Sequence, residues 1–272
     1  MNFPFYIARR YLFSKKKHNA INIISGISVC GVALATLALV CTLSVFNGFQ
    51  DMVASFFTAF DPQLKITVRE GKVFDAQDKR IRAVCALPEV EVFTETLEEN
   101  AMVQYKDRQA MVVLKGVEDN FEELTAIDSI LYGAGEFVLH DSIVNYGVMG
   151  VELVATLGTG LEFVDPLQVY LPKRNAKVNM ANPGASFNRD YLYSPGVVFV
   201  VNQQEYDGKY ILTSLDFLRQ LLDYTTEVSA MELKLKSNVN TSSVQSKIEN
   251  ILGDDFVVQN RYQQQADVFR IM

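Results

Sequence analysis

Between Asn19 and Gln50 the chain carries no charged residue. The apolar centre of this run, Ile21 to Phe46, holds 26 residues. As a helix it measures about 39 Å, at about 1.5 Å per residue. A bilayer's hydrocarbon core is about 30 Å thick, so the segment spans it with some tilt or with its last turns projecting. A cleaved signal peptide has an apolar stretch of about 7–15 residues and a small-residue cleavage site. This stretch is much longer, and no A-x-A-like site closes it. Arg9, Arg10, Lys15, Lys16 and Lys17 precede it with no acid beside them. The positive-inside rule then puts the N-terminus in the cytoplasm and everything after about Asp51 on the other side.

The rest of the 272 residues suits one domain of about 200 residues. Without those five cations the remainder has 20 basic and 32 acidic residues, a net charge of −12. Phosphate backbones need a basic face, so nucleic acid is excluded as a partner. Of three cysteines, Cys30 and Cys41 lie in the apolar run. Cys85 alone makes neither an intrachain disulfide nor a zinc site.

Two features make the span more than a tether. Ser28, Gly31, Ala35, Ala38 and Thr42 recur at helical spacing and form a stripe of small residues, which lets another helix approach closely. Such residues are also common in spans generally. Before it, Phe3, Phe5, Tyr6, Tyr11, Leu12 and Phe13 mix with Arg9, Arg10 and Lys15, a pattern that suits a short interfacial helix or an unstructured flank.

Beyond the span, period-two alternation predicts strands at Gln63–Arg69, Val90–Glu95 and Ala230–Lys236, and a hairpin of Ala101–Tyr105 with Gln109–Val117. Helices are predicted at Asp75–Leu87, near Asp141–Leu157, and after Ser242 as a cap with Gly253 past the end. Phe256–Gln259 reads as a strand. Further strands fall at Glu136–Leu139, Leu167–Leu171, Val197–Val201 and Tyr210–Leu212, and Ser214 caps a short helix. A β-α-β unit therefore opens the domain and another closes it. The expected fold is α+β: residues 1–18 interfacial, 19–50 the span, and 51–260 an extracytoplasmic domain in two subdomains. Residues 60–118 with 228–260 form the first subdomain, and 119–227 a β-rich insertion. A helix toward a second span starts at 261–272.

No catalytic constellation is legible. His18 and His140 build neither a triad nor a metal site, and no P-loop or G-x-S-x-G elbow exists. Ser14-Lys15-Lys16-Lys17 matches S-x-x-K only within a basic flank. Glu95, Glu98 and Glu99 read as a solvated face. The sequence predicts no enzyme, no metal and no cofactor in this chain.

Three segments resemble a known family. Leu43-Ser44-Val45-Phe46-Asn47-Gly48-Phe49, after Arg10-Tyr11-Leu12 and the span, is similar to the "LSVxNGF" helix exit of lipoprotein-releasing ABC transporter permeases, the Lol C/E type within the MacB/FtsX-like group. Leu114-Lys115-Gly116-Val117-Glu118 resembles that family's "GV/GI-(D/E)" segment. Phe137-Val138-Leu139, Leu157-Gly158 and Asp165-Pro166-Leu167-Gln168-Val169-Tyr170-Leu171 are similar to its "IVLG…LA..LG…GD.V.L". Here His140 and Asp141 stand where glycine is usual, and Pro166 follows the aspartate.

The resemblance implies a permease subunit in a bacterial inner membrane that extracts lipoproteins and hands them to a periplasmic chaperone. ATP would be bound by a separate ATPase subunit, and a second permease copy or paralogue would complete the pair. The family's permeases continue with three more spans, so a chain stopping at Met272 reads as a truncated one. A MacB-type efflux permease and an FtsX-like signalling protein remain open.

Two sets of residues fit those roles. Phe46, Asn47, Gly48, Phe49 and Met52, at a charge-free helix end, offer adaptable apolar contact for acyl chains, with Asn47-Gly48 as a permissive break. The loop Pro172–Pro195 has no clear period. Its Lys173, Arg174, Lys177 and Arg189 contrast with the acidic domain, and Met180, Phe187, Tyr191 and Tyr193 supply apolar anchors. Charge steering and aromatic anchors suit a carrier-docking loop.

Overall fold

The computed structural model describes residues 3–12, 20–55, 60–174 and 186–264. The chain divides into two units, Met1–Phe57 and Thr58–Met272. The first holds helix α1 (Phe3–Leu12) and helix α2 (Ala20–Ser55). α2 is 36 residues long, and its stretch Ile23–Gly48 has a mean hydropathy of 2.4 with none of it buried. It runs unbroken through Asn47 and Gly48, so the break expected there does not exist.

The second unit is built on one large sheet. β1 (Leu64–Val68) turns Leu64 and Ile66 to a core and Lys65 and Thr67 to the opposite face. β2 (Phe74–Asp75) precedes α3 (Lys79–Cys85), whose first turn is capped by the Asp78 carboxylate accepting from Arg80 N–H at 2.8 Å. The helix predicted from Asp75 starts later, because Asp75 belongs to β2, Ala76 and Gln77 form a turn and Asp78 is the cap. Then comes β3 (Val90–Tyr105), a single strand of 16 residues where two were expected. It forms a hairpin with β4 (Arg108–Val117) around Lys106-Asp107.

Next come α4 (Phe121–Leu124), a 3-10 turn, β5 (Leu131–Gly133), β6 (Val148–Met149) and α5 (Val151–Leu157). The expected strand Glu136–Leu139 forms no ladder; Phe137 and Leu139 instead pack into an apolar cluster with Phe121 and Phe199. The expected helix from Asp141 starts only at Val151. At Gly150 a Cβ would overlap the backbone of Asp207, so a close chain crossing takes the place of the helix's first half.

β7 (Leu167–Pro172) and β8 (Phe187–Leu192) pair antiparallel, so part of the predicted loop is strand. β9 (Val197–Phe199), α6 (Gln204–Asp207), β10 (Tyr210–Ser214) and α7 (Leu215–Leu222) follow, with Ser214 Oγ accepting from Phe217 N–H. β11 (Glu227–Val228), β12 (Ala230–Leu235), α8 (Thr241–Leu252) and β13 (Phe256–Asn260) close the unit. The cap of α8 is Asn240, not Ser242: its carbonyl oxygen Oδ1 accepts from Ser242 and Ser243 N–H.

The main path of the sheet is β13-β1-β12-β3-β4-β10-β6, and β7 pairs with the far half of β3. Its first four strands have the order of a β-α-β-β-α-β unit, with α3 and α8 packed on one face. Leu97, Ala101 and Val103 of β3 enter a second core with Leu153, Phe217 and Leu218. β3 is thus the shared strand between the two cores.

Candidate functional site

The segments just before β1 and just after β13 meet at one place. Arg261 Nε donates to Asp61 O at 3.0 Å, and Gln264 Nε2 to Pro62 O at 3.2 Å. Tyr206 hydroxyl donates to the Asp61 carboxylate at 3.1 Å. These bonds strap the two segments together beside the β1–β13 ladder.

Behind the strap lies a cavity of about 210 Å³, lined by Phe60, Lys65, Thr67, Glu98, Lys115 and Tyr210 among others. Cross-strand register builds its charges: Lys65 faces Glu232, and Glu98 faces Lys115. Lys65 Nζ is 3.2 Å from Glu98, and Lys115 Nζ is 2.6 Å from Glu232 and 3.7 Å from Glu98. Burial opposes ionisation of Glu98, but Lys65 and Lys115 outweigh it and hold its carboxyl down at about 2. Burial likewise opposes the charge on Lys65, yet Glu98, Glu232 and Asp61 keep its ammonium above the usual range. Burial and neighbouring carboxylates push the Tyr206 and Tyr210 hydroxyls up, so both stay neutral donors.

This cluster overturns the reading of the glutamates as a solvated face. Glu95 is buried and pairs with Arg219 at 2.7 Å, Glu98 sits in the cluster, and Glu99 holds Lys72 at 3.1 Å. Nothing in the sequence pointed to the cluster, because its members come from four strands. Among the described residues no three metal-ligating side chains converge. His140 lies 3.6 Å from Asp119 on an open surface.

The small-residue stripe Ser28, Gly31, Ala35, Ala38 and Thr42 occupies one face of α2, and its side chains are exposed. Phe46, Asn47, Gly48, Phe49 and Met52 all fall on α2. At about 100° per residue Phe46, Asn47 and Gly48 point in three directions and make no common face. The side chains of Phe49 and Met52 lie outside the described set.

In the predicted docking loop, Lys177 and Met180 lie outside the described residues. Phe187, Arg189 and Tyr191 alternate on the outer face of β8, while Leu192 turns into the core. Tyr193 follows and is also exposed. Arg174 is spoken for: it stacks on Tyr224 at 5.0 Å and lies 3.7 Å from Glu227. Lys173, Arg174, Asn188, Arg189 and Asp190 line one side of an open groove of about 740 Å³, and Gln220–Asp223 at the end of α7 line the other.

The chain thus combines an exposed apolar helix long enough to cross a membrane with a sheet-rich α+β domain. Residues 25–251 match the family model of the MacB-like periplasmic core domain, and the chain belongs to that family. Among curated relatives it is 24% identical over 245 residues to the lipoprotein-releasing system transmembrane protein LolE of Haemophilus influenzae, covering 86% of this chain and 55% of LolE. It is 22% identical over 266 residues to LolC of Xylella fastidiosa, covering 97% of this chain and 61% of LolC. The chain thus spans a little over half the length of these relatives. Among solved structures, the periplasmic region of MacB from Actinobacillus actinomycetemcomitans aligns with a TM-score of 0.49 at 10% identity, over 75% of this chain and 91% of that one. The extracellular domain of the noncanonic ABC-type transporter YknZ from Gram-positive bacteria gives 0.47 at 10% identity, over 72% and 99%.

Proposed function

We propose that the chain is part of a permease subunit of an ABC transporter that extracts lipoproteins from a bacterial inner membrane and passes them to a periplasmic carrier. The observation that carries this reading is similarity to LolE and LolC running through anchor and ectodomain alike. In this reading α1 and the N-terminus are cytoplasmic and the second unit periplasmic, in two subdomains, 60–118 with 228–260 and 119–227. ATP is hydrolysed by a separate ATPase subunit, and this chain performs no chemistry of its own. The stripe on α2 packs against a helix of a second permease copy or paralogue, the end of α2 meets the lipid-modified substrate, and the β7–β8 hairpin meets the carrier. The strap at Asp61 and Arg261 suits transmission, since whatever shifts one chain end shifts the other.

The family match itself favours a second reading, a MacB-type efflux or FtsX-like signalling role. Affinity purification of the full-length protein from membranes separates them. Lipoproteins and an ATPase subunit should come with it. An ATPase without lipoproteins turns the reading to efflux, and a cell-wall hydrolase without either turns it to signalling.

A further inference from the structure

Among the described residues β8 pairs with β7 alone, and its register tells which groups face outward. Lys173 N–H donates to Ser186 O at 2.9 Å. Successive pairs in an antiparallel ladder alternate between bonded and non-bonded. With the observed register, Leu171↔Asn188 and Val169↔Asp190 are then the bonded pairs, and Phe187, Arg189 and Tyr191 turn their backbone groups away from β7. The next residue of that parity agrees: Tyr193 N–H donates to Asn145 O, and its carbonyl accepts from Gly147 N–H, both at 2.9 Å. The outward edge is therefore occupied at Tyr193. Tyr191 N–H is held by the Asp190 carboxylate at 2.8 Å. Over Phe187 and Arg189 no described residue pairs with it.

The sheet edge at β13 is treated differently. Along the outer edge of β13, Gln245 Nε2 donates to Val258 O at 2.9 Å and Gln263 Oε1 accepts from Asn260 N–H at 2.9 Å. Side-chain amides thus close that edge, as proteins commonly do to block unwanted pairing. The β8 edge has no such cover at Phe187 and Arg189 among the described residues, and Arg189 also borders the groove beside the end of α7. Lys173 and Arg189 line that groove without an acidic partner among the described residues, alongside Asp190 and Asp223.

We infer that this edge receives an extended acidic segment of a partner protein as an added strand. This rests on reading the β7–β8 hairpin as a docking element. Main-chain pairing supplies affinity in such additions, and alternate side chains supply selectivity. Here the alternate positions carry Phe187, Arg189 and Tyr191, an apolar–cationic–aromatic series that favours an acidic residue at the middle position of the incoming strand.

The test uses the full chain in nanodiscs and a labelled, end-capped peptide of alternating Glu and Val, seven residues long. It is compared with the same peptide N-methylated at every second residue and with a Lys-for-Glu version. In the chain, Arg189→Pro removes the outward N–H at an open edge position, where proline is tolerated, and Arg189→Ala removes only the charge. The expected results are at least tenfold weaker binding for the N-methylated peptide and for R189P, a smaller loss for R189A, and slowed hydrogen exchange at the Arg189 amide. Equal binding of the N-methylated peptide, or no binding of the parent peptide, overturns the proposal. If circular dichroism shows R189P misfolded, the N-methylated peptide on the unmodified chain decides alone. Edge-dependent self-association that disappears in R189P overturns the acidic partner in favour of a second copy. Reconstituted lipoprotein release that ignores R189P while peptide binding is lost keeps the edge and overturns the hairpin's role in hand-over.

Discussion

Lys115 and Glu232 lie 117 positions apart in the chain and meet at 2.6 Å, with side chains 3% and 0% exposed. A pair this deeply buried is costly to split, because removing one partner strands the other's charge. Lys115→Met should destabilise the ectodomain by about 3–5 kcal/mol. Adding Glu232→Leu should restore most of the loss. Urea unfolding of the detergent-solubilised chain, followed by near-UV signals, checks both; a single variant as stable as the double one contradicts the pairing.

Glu98 sets an acid limit. Its carboxyl is held at about 2 in the fold against an ordinary 4.5. A depressed acid contributes stability that is present above the ordinary value and lost as pH falls through the folded one. The unfolding midpoint should therefore drop between about pH 4.5 and 2, and Glu98→Gln should flatten that drop. Glu118 works in the opposite sense, since burial raises its carboxyl. Its protonation in the fold adds stability as pH falls toward about 4.5, a gain that Glu118→Gln should remove.

Gly150 marks the crossing of two backbones. Gly150→Ala should cost about 1–3 kcal/mol, the range for forced overpacking, because the new methyl meets the Asp207 backbone rather than a movable side chain. Thermal melting of the chain reads this directly. The exposed control Gly71→Ala, with nothing near its Cβ, separates crowding from backbone strain, since Gly71 has φ +101.

The stripe on α2 makes a prediction about assembly. Gly31→Leu with Ala35→Leu should sharply reduce co-purification of a second permease subunit without changing the ectodomain's melting. Ala33→Leu, on the opposite side of the helix, should leave co-purification intact. Equal effects from both faces remove the idea of a packing stripe.

Photo-crosslinkers address the helix end. A crosslinker at Phe46 should capture lipoprotein more strongly than one at Leu34 or Leu37. Because neighbouring positions point in different directions, capture should differ among Phe46, Asn47 and Gly48. Uniform capture along the whole helix means only that lipid surrounds it.

The sequence revealed those elements whose two faces differ. β1 and β12 alternate, and the span is long and uncharged. β3 was broken in two because Thr94, Glu95, Thr96 and Leu97 are all buried. With both faces covered, alternation vanishes, and Glu98-Glu99 then reads as a solvated end. β8 escaped notice for another reason: Asn188 and Asp190 occupy its inner parity, with Asn188 bonded to Leu221 O at 2.7 Å. A strand held by a side-chain amide leaves no hydrophobic trace. The ion cluster was invisible because pairing across strands is a property of topology, which local patterns do not carry. The candidate carrier-docking residues were legible as an unusual patch, but the edge beneath them was not.

The adjacency of β1 and β13 has a mechanical consequence. Leu64, the first residue of β1, pairs with Asn260, the last of β13. Pulling those ends apart would open the ladder like a zipper, one rung at a time, a loading direction in which a sheet yields at low force. The bonds from Arg261 and Gln264 to Asp61 and Pro62 sit ahead of the first rung and take the load before it does. They act as a bartack stitched at the end of a seam. The force at which Arg261→Ala lets the seam run, measured by single-molecule pulling between residues 60 and 264, should fall well below that of the intact chain.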